Sequence, residues 1–135
     1  MIEYLLDSDV LIWQLHDQEE TVESLARLSK KGILACSVVS IVEIQAGVRR
    51  GEEKKTNALL DSLKAYDVTS AIANLAGKFI RDCRARGITL DFVDSIVAAT
   101  AVIHGLTLLT YNVKEYPMPE VTLYYPYKES RRSLI

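Results

Sequence analysis

The chain has 135 residues, 49% of them hydrophobic and 25% charged, with a formal net charge of -2. This is the make-up of one soluble globular domain with an ordinary core, and it contains no repeat or low-complexity tract. The charge excludes a surface that attracts a polyanion as a whole. A nucleic acid must therefore be met by local clusters such as Arg49/Arg50, Lys54/Lys55 and Arg81/Arg84/Arg86.

Ile2 to Leu6 is a short apolar run, closed by Asp7-Ser8-Asp9 and followed at once by a new apolar run. It reads as a buried strand, a turn and a helix, and its acids argue against a signal peptide. Val10 to Leu15 starts that helix, and Thr21 to Ser29 continues a helical pattern that Lys30, Lys31 and Gly32 end. Ile33 to Cys36 is a second strand, after which Ser40 opens a helix that Gly47 loosens. A polar stretch, Arg49 to Lys55, leads into the amphipathic Leu59, Leu60 and Leu63, and Tyr66 to Val68 reads as a third strand. From Ser70 onward Ile72, Leu75, Ala76, Phe79, Ile80 and Cys83 recur at helical spacing, with Gly87 as the stop. Asp91 caps a further helix, Phe92 to His104, closed by Gly105. The apolar stretch from Ile96 to Leu109 is too short to span a bilayer. Leu106 to Thr110 and Val121 to Tyr124 complete the strands, and Lys128 to Ile135 reads as a basic tail. Cys36 and Cys83 are single and far apart, as expected of reduced core thiols in a cytoplasmic protein. Strands alternating with helices predict an α/β fold over residues 1–135, with a mainly parallel sheet of about five strands and helices on both faces.

In open α/β sheets ligands bind beyond the carboxyl ends of the strands. Four places put acids there: Asp7 with Asp9, Glu43, Asp94 beside Asp91, and Glu115 near Thr110 and Asn112. Each has a plainer explanation when taken singly. Asp7 or Ser8 caps a helix, Ser40 and Glu43 form a capping box, Asp94 is a first-turn acid, and Glu115 is solvated. Taken together they point to a site, because Glu43 and Asp94 have apolar neighbours, Val42 and Ile44 for one, Val93 and Ile96 for the other. Two carboxylates about 4 Å apart repel by roughly 4 kcal/mol at an effective dielectric of about 20. Four of them need protons or a cation among them. Oxygen-only ligands suit Mg²⁺ or Mn²⁺, and an ion so held serves phosphoryl chemistry by making hydroxide and stabilising an in-line displacement. His16 and His104 are isolated. Neither a nucleophilic triad nor a glycine-rich phosphate loop competes.

The order Leu5-Leu6-Asp7-Ser8-Asp9-Val10-Leu11-Ile12, then Ser40-Ile41-Val42-Glu43-Ile44, then Asp94-Ser95-Ile96-Val97-Ala98-Ala99 leading to Leu109-Thr110-Tyr111-Asn112-Val113-Lys114-Glu115-Tyr116, resembles the PIN-domain ribonucleases. Within them it is similar to the small VapC-type toxins of toxin–antitoxin pairs, over nearly the whole chain. The resemblance implies a PIN-like fold and a Mg²⁺- or Mn²⁺-dependent endoribonuclease acting on RNA. It also implies a homodimer neutralised by a small VapB-like antitoxin in a hetero-oligomer, away from any membrane. Asp7, Glu43 and Asp94 match the first three family carboxylates. Glu115 matches the acid after the Thr-x-Asn turn, Asn112 a polar residue that is sometimes acidic, and Thr110 the hydroxyl at the end of strand four, with Ser8 as a further polar neighbour. Asp9 stands where Asn is more usual, and either adds a ligand or tightens metal binding. Two other readings remain. Asp7 and Asp9 also resemble the nucleophile and acid/base of haloacid-dehalogenase-like phosphatases, and a PIN-like fold can be a non-catalytic binding module. For the dimer, the stripes Leu59/Leu60/Leu63 and Ile72/Leu75/Phe79 either pair across a two-fold axis or pack on the chain's own sheet.

Overall fold

The computed structural model describes residues 1–126. Strand β1 (Ile2–Leu6) leads through helices α1 (Ser8–Leu15) and α2 (Glu19–Ser29) to β2 (Gly32–Ser37) beside it. Helices α3 (Val38–Ala46) and α4 (Glu53–Asp61) lead on to the edge strand β3 (Lys64–Tyr66). Then α5 (Ser70–Ala85) and α6 (Phe92–His104) carry the chain back across the sheet to β4 (Thr107–Leu109), on the other side of β1. A 3₁₀ turn, Val113–Glu115, precedes β5 (Thr122–Tyr124). Among the described residues the sheet is five-stranded, in the order β3-β2-β1-β4-β5, with every ladder parallel. The fold class expected from the alternation of strands and helices is the one observed. Because β2 and β3 extend the sheet on one side of β1 and β4 and β5 extend it on the other, the topological switch point lies between β1 and β4.

Alternation along the strands splits the core in two. Leu5, Ala35 and Leu108 face Ile72, Phe79, Val97 and Ala98 of α5 and α6. Tyr4, Leu6, Cys36 and Leu109 face Val10, Leu11, Leu25 and Leu28 of α1 and α2. Full burial of each large side chain contributes roughly 1.5–3 kcal/mol, so a strand apolar on both faces commits β1 to the centre. At Gly32 a Cβ would stand 2.1 Å from the Ile2 carbonyl oxygen, so only glycine lets β2 start against β1. Gly105 ends α6 in the left-handed region at φ 65, which a residue without Cβ adopts freely.

Two expectations are corrected. Strand β3 spans Lys64–Tyr66 rather than Tyr66 to Val68, because its partner β2 ends at Ser37, opposite Tyr66, and leaves no ladder beyond it. In addition, the Lys64 ammonium and the Tyr66 hydroxyl both donate to Glu3 Oε1. Helix α3 starts at Val38, not Ser40: Ser37 is the N-cap and accepts from the Val39 amide, while Ser40 is fully buried inside the helix. Of the two alternatives for the apolar stripes, packing on the chain's own sheet is the one observed, with Leu59 and Leu75 partly buried. Leu60, Leu63, Ile72 and Phe79 are all buried within the chain's own two core clusters. The basic stretch Lys128 to Ile135 lies outside the described residues. No helix of the described residues is long and apolar enough to cross a membrane.

Candidate active site

Asp7 is the first residue past β1, and its amide donates to the carbonyl of Leu109 at 2.9 Å, which ties it to the end of β4 across the switch point. It is 6% exposed. As N-cap of α1 it accepts the Ser8 amide on Oδ1 at 2.9 Å. On Oδ2 it accepts the Thr110 hydroxyl at 2.9 Å and the Tyr116 hydroxyl at 2.7 Å. The Asn112 amide donates to Thr110 Oγ1 at 3.0 Å, so the threonine's own proton is directed to the carboxylate. A carboxylate has about four lone-pair sites, and Asp7 has used three.

Asp9 lies in the first turn of α1, with Oδ1 on the Val10 amide at 2.7 Å and Oδ2 on the Tyr111 amide at 2.9 Å. It thereby fastens the loop after β4 to α1. Burial first, then the charge of Asp7, pushes its carboxyl up to about 6, against the pull of the two amides. Asp94, in the first turn of α6, is pushed up to about 7 by burial and then by the charges of Asp7 and Asp91. The Tyr116 hydroxyl, 3.2 Å from its Oδ1, works the other way. The neighbouring Asp91 is exposed and caps α6, accepting the amides of Val93 and Asp94.

Glu43 is exposed on α3, and its Oε1 accepts the Ser8 hydroxyl at 2.5 Å. The capping-box alternative is excluded: Ser40 is not the cap, and the carboxylate turns to the start of α1 instead. Glu43→Gln keeps the Ser8 bond and the helix but loses the charge. We expect it to melt like the parent while cleavage and Mn²⁺ affinity fall at least tenfold; unchanged turnover would return Glu43 to a structural role. Glu115 is exposed in the 3₁₀ turn, and its charge reaches Asp94 as the smallest of the causes that act on it. Asn112 is exposed and meets the site through its amide.

The three sheet-edge segments and α3 therefore converge on one acidic corner. Glu43 also lies in the wall of a cleft of about 460 Å³ between α1, α3 and α4, shared with Ile12, His16, Arg49 and Lys55. Of the basic clusters, Lys55 is engaged with Asp17 at 2.8 Å, and Arg84 and Arg86 end α5 at the turn toward Asp91. Among the described residues no three acidic, histidine or cysteine groups stand close enough to hold one ion as they are. The carboxylates are linked by the hydroxyls of Ser8, Thr110 and Tyr116. The donor chemistry nonetheless fits a hard divalent cation. It is all oxygen, and two of its carboxyls, Asp9 and Asp94, are pushed up by burial and then by the charge of Asp7, which a cation relieves. Tyr116 was not foreseen as part of the site. Its role follows from its burial in the fold, because a tyrosine buried in a core needs a partner for its hydroxyl.

The family profile of the PIN domain matches residues 4–115. The chain belongs to the PIN domain family. PIN relatives include Ribonuclease VapC10 of Mycobacterium tuberculosis, 38% identical over 86% of this chain and 87% of that protein. Ribonuclease VapC19 of the same organism is 32% identical over 84% of this chain and 92% of that protein. Among solved structures, the fold is similar to that of VapBC2 from Rickettsia felis bound to a promoter DNA fragment. That match has a TM-score of 0.83 at 22% identity and covers 91% of this chain and 98% of the other. FitAcB from Neisseria gonorrhoeae gives a TM-score of 0.76 at 23% identity, covering 91% and 97%. PIN membership removes the phosphatase alternative.

Proposed function

We propose that this PIN domain is a Mg²⁺- or Mn²⁺-dependent endoribonuclease, hydrolysing RNA phosphodiester bonds, and the toxin of a toxin–antitoxin pair. The observation that carries the reading is the meeting of Asp7, Asp9 and Asp94 at the switch point, with Glu43 tied in through Ser8. The names of the two relatives, both ribonucleases, support the activity, and a solved neighbour described as a toxin–antitoxin complex supports the setting. In this reading Asp7, Glu43 and Asp94 hold the ion, with Asp9 and Glu115 as further carboxylates. An ion held there would supply hydroxide near neutral pH and would stabilise charge in an in-line displacement. The chain's own groups orient the ligands: Thr110 and Tyr116 hold one oxygen of Asp7, Ser8 holds Glu43, and the Tyr111 amide holds Asp9.

The test is cleavage of an RNA oligonucleotide by the purified protein in Mn²⁺, in EDTA, and in EDTA followed by excess Mn²⁺. Cleavage in the first and third arms alone is expected. Full cleavage in EDTA ends the metal mechanism. Mn²⁺ that raises the melting temperature without any cleavage points instead to a binding module.

The antitoxin acts by placing a basic side chain among Asp7, Glu43 and Asp94 in place of the cation. Its addition then lowers Mn²⁺ affinity and RNase activity together; inhibition at unchanged Mn²⁺ affinity rules this out. The toxin works as a cytoplasmic homodimer, for which Val42 and Phe92, 66% and 70% exposed, leave apolar surface on α3 and α6. Light scattering at micromolar concentration should then report about twice the chain mass of 15.1 kDa, and a monomer would count against the dimer.

A further inference from the structure

Tyr116 is 3% exposed, and its ring belongs to the core cluster under α5 and α6. Its hydroxyl leaves that apolar cluster and meets two acids from distant segments. It stands 2.7 Å from Oδ2 of Asp7, at the end of β1, and 3.2 Å from Oδ1 of Asp94, in α6. The contact to Asp7 spans 109 positions of the chain and the contact to Asp94 spans 22. One phenol thus joins the two carboxylates that the nuclease reading places on the metal.

We infer that Tyr116 is a positioning residue that sets the separation and orientation of Asp7 and Asp94 for a shared divalent cation. The inference rests on the metal-dependent nuclease reading above. The hydroxyls of Tyr116 and Thr110 both lie on Oδ2 of Asp7, while Oδ1 takes only the Ser8 amide. The lone pair left for a cation is therefore on Oδ1, and the two hydroxyls decide which oxygen that is. Asp94 is half-buried, so its side chain has rotamers to choose from, and the phenol selects the one that faces Asp7. Thr110 cannot replace the phenol in this, because its contacts are to Asp7 and Asp9 and not to Asp94. Partners that orient metal ligands from outside the coordination shell change affinity or activity by about 10–100-fold when removed.

The plainer role for Tyr116 is a core ring whose hydroxyl needs some acceptor. Tyr116→Phe and Tyr116→Leu separate the two. Phe keeps the ring and loses the bridge, whereas Leu loses both. The measurements are Mn²⁺ affinity by calorimetry without RNA, kcat and KM for an RNA oligonucleotide, and melting temperature. The expected result for Tyr116→Phe is a fold that melts close to the parent, an Mn²⁺ affinity lower by about tenfold, and a kcat lower by at least as much, with KM nearly unchanged. Tyr116→Leu should melt lower and do no better. If Phe restores Mn²⁺ affinity and kcat to parental values, the ring alone matters and the inference falls. A second measurement is independent of how the Tyr116 variants fold. In the metal-free parent, the Tyr116 hydroxyl proton should give an exchange-protected NMR signal that shifts in Asp94→Asn; a signal unmoved by that change, or none, overturns the bridge. A parent protein that binds no Mn²⁺ and cuts no RNA would overturn the nuclease reading, a result distinct from a Phe variant equal to an active parent.

Discussion

Asp7→Asn should lower RNA cleavage by about three orders of magnitude, because it removes a charge at the point where several kcal/mol of metal stabilisation act on the reaction. The fold should survive. The side chain keeps its volume, its carbonyl can still accept the Ser8 amide, and the Thr110 and Tyr116 hydroxyls can turn to accept from the new amide group. What the weaker bonds lose is offset by relief at Asp9 and Asp94, both of which the Asp7 charge pushes up. Single-turnover cleavage and a thermal melt, read side by side, check this. Cleavage within tenfold of the parent would remove Asp7 from the mechanism; a collapsed melt would mean that the cap, not the charge, had been lost.

Asp94→Asn should trade activity for stability. The Asp94 carboxyl is raised from 3.8 to about 7, so the folded protein holds a proton that the unfolded chain has released. Such a group contributes stability that is full below about pH 4 and is lost as pH rises through about 7. Asp9 adds the same trend up to about 6. The lowered carboxyl of Glu3 acts in the opposite sense but below this window. Metal-free parent protein should therefore melt higher at pH 5 than at pH 8. Asn is neutral throughout, so the metal-free variant should melt above the parent at pH 8, with the difference narrowing at pH 5 and closing only near about pH 4. Mn²⁺ should stabilise the parent strongly and the variant little, and cleavage by the variant should fall by about two to three orders of magnitude. A variant that melts below the parent at pH 8 would show that Asp94 serves the fold rather than the site.

The acidic corner was legible only in outline. Asp7, Glu43 and Asp94 stand out because each follows or opens an element beside apolar neighbours, and that is a local pattern. The capping box at Ser40 and Glu43 is an equally good local pattern, yet it does not form. Ser37 reaches the helix start first, and the Ser8 hydroxyl takes Glu43. Tyr116 carried no local sign of its role, since the two carboxylates it joins lie 109 and 22 positions away.

Periodicity and composition by themselves determined the element types, the parallel sheet and the edge at which the acids gather. Those properties follow from which residues must be buried at a spacing of two or 3.6, and that rule is written along the chain. The tertiary structure alone decided the rest. Parallel pairing with β2 stopped β3 at Tyr66, where its partner ends, and the chain's own core took Leu60, Leu63, Ile72 and Phe79 that periodicity left open to a second copy. It also decided which hydroxyl donates to which carboxylate, and where burial and like charge raise Asp9 and Asp94. Desolvation and Coulomb repulsion depend on distance in space, and for β1, α6 and the segment after β4 the return of the chain across the sheet sets that distance.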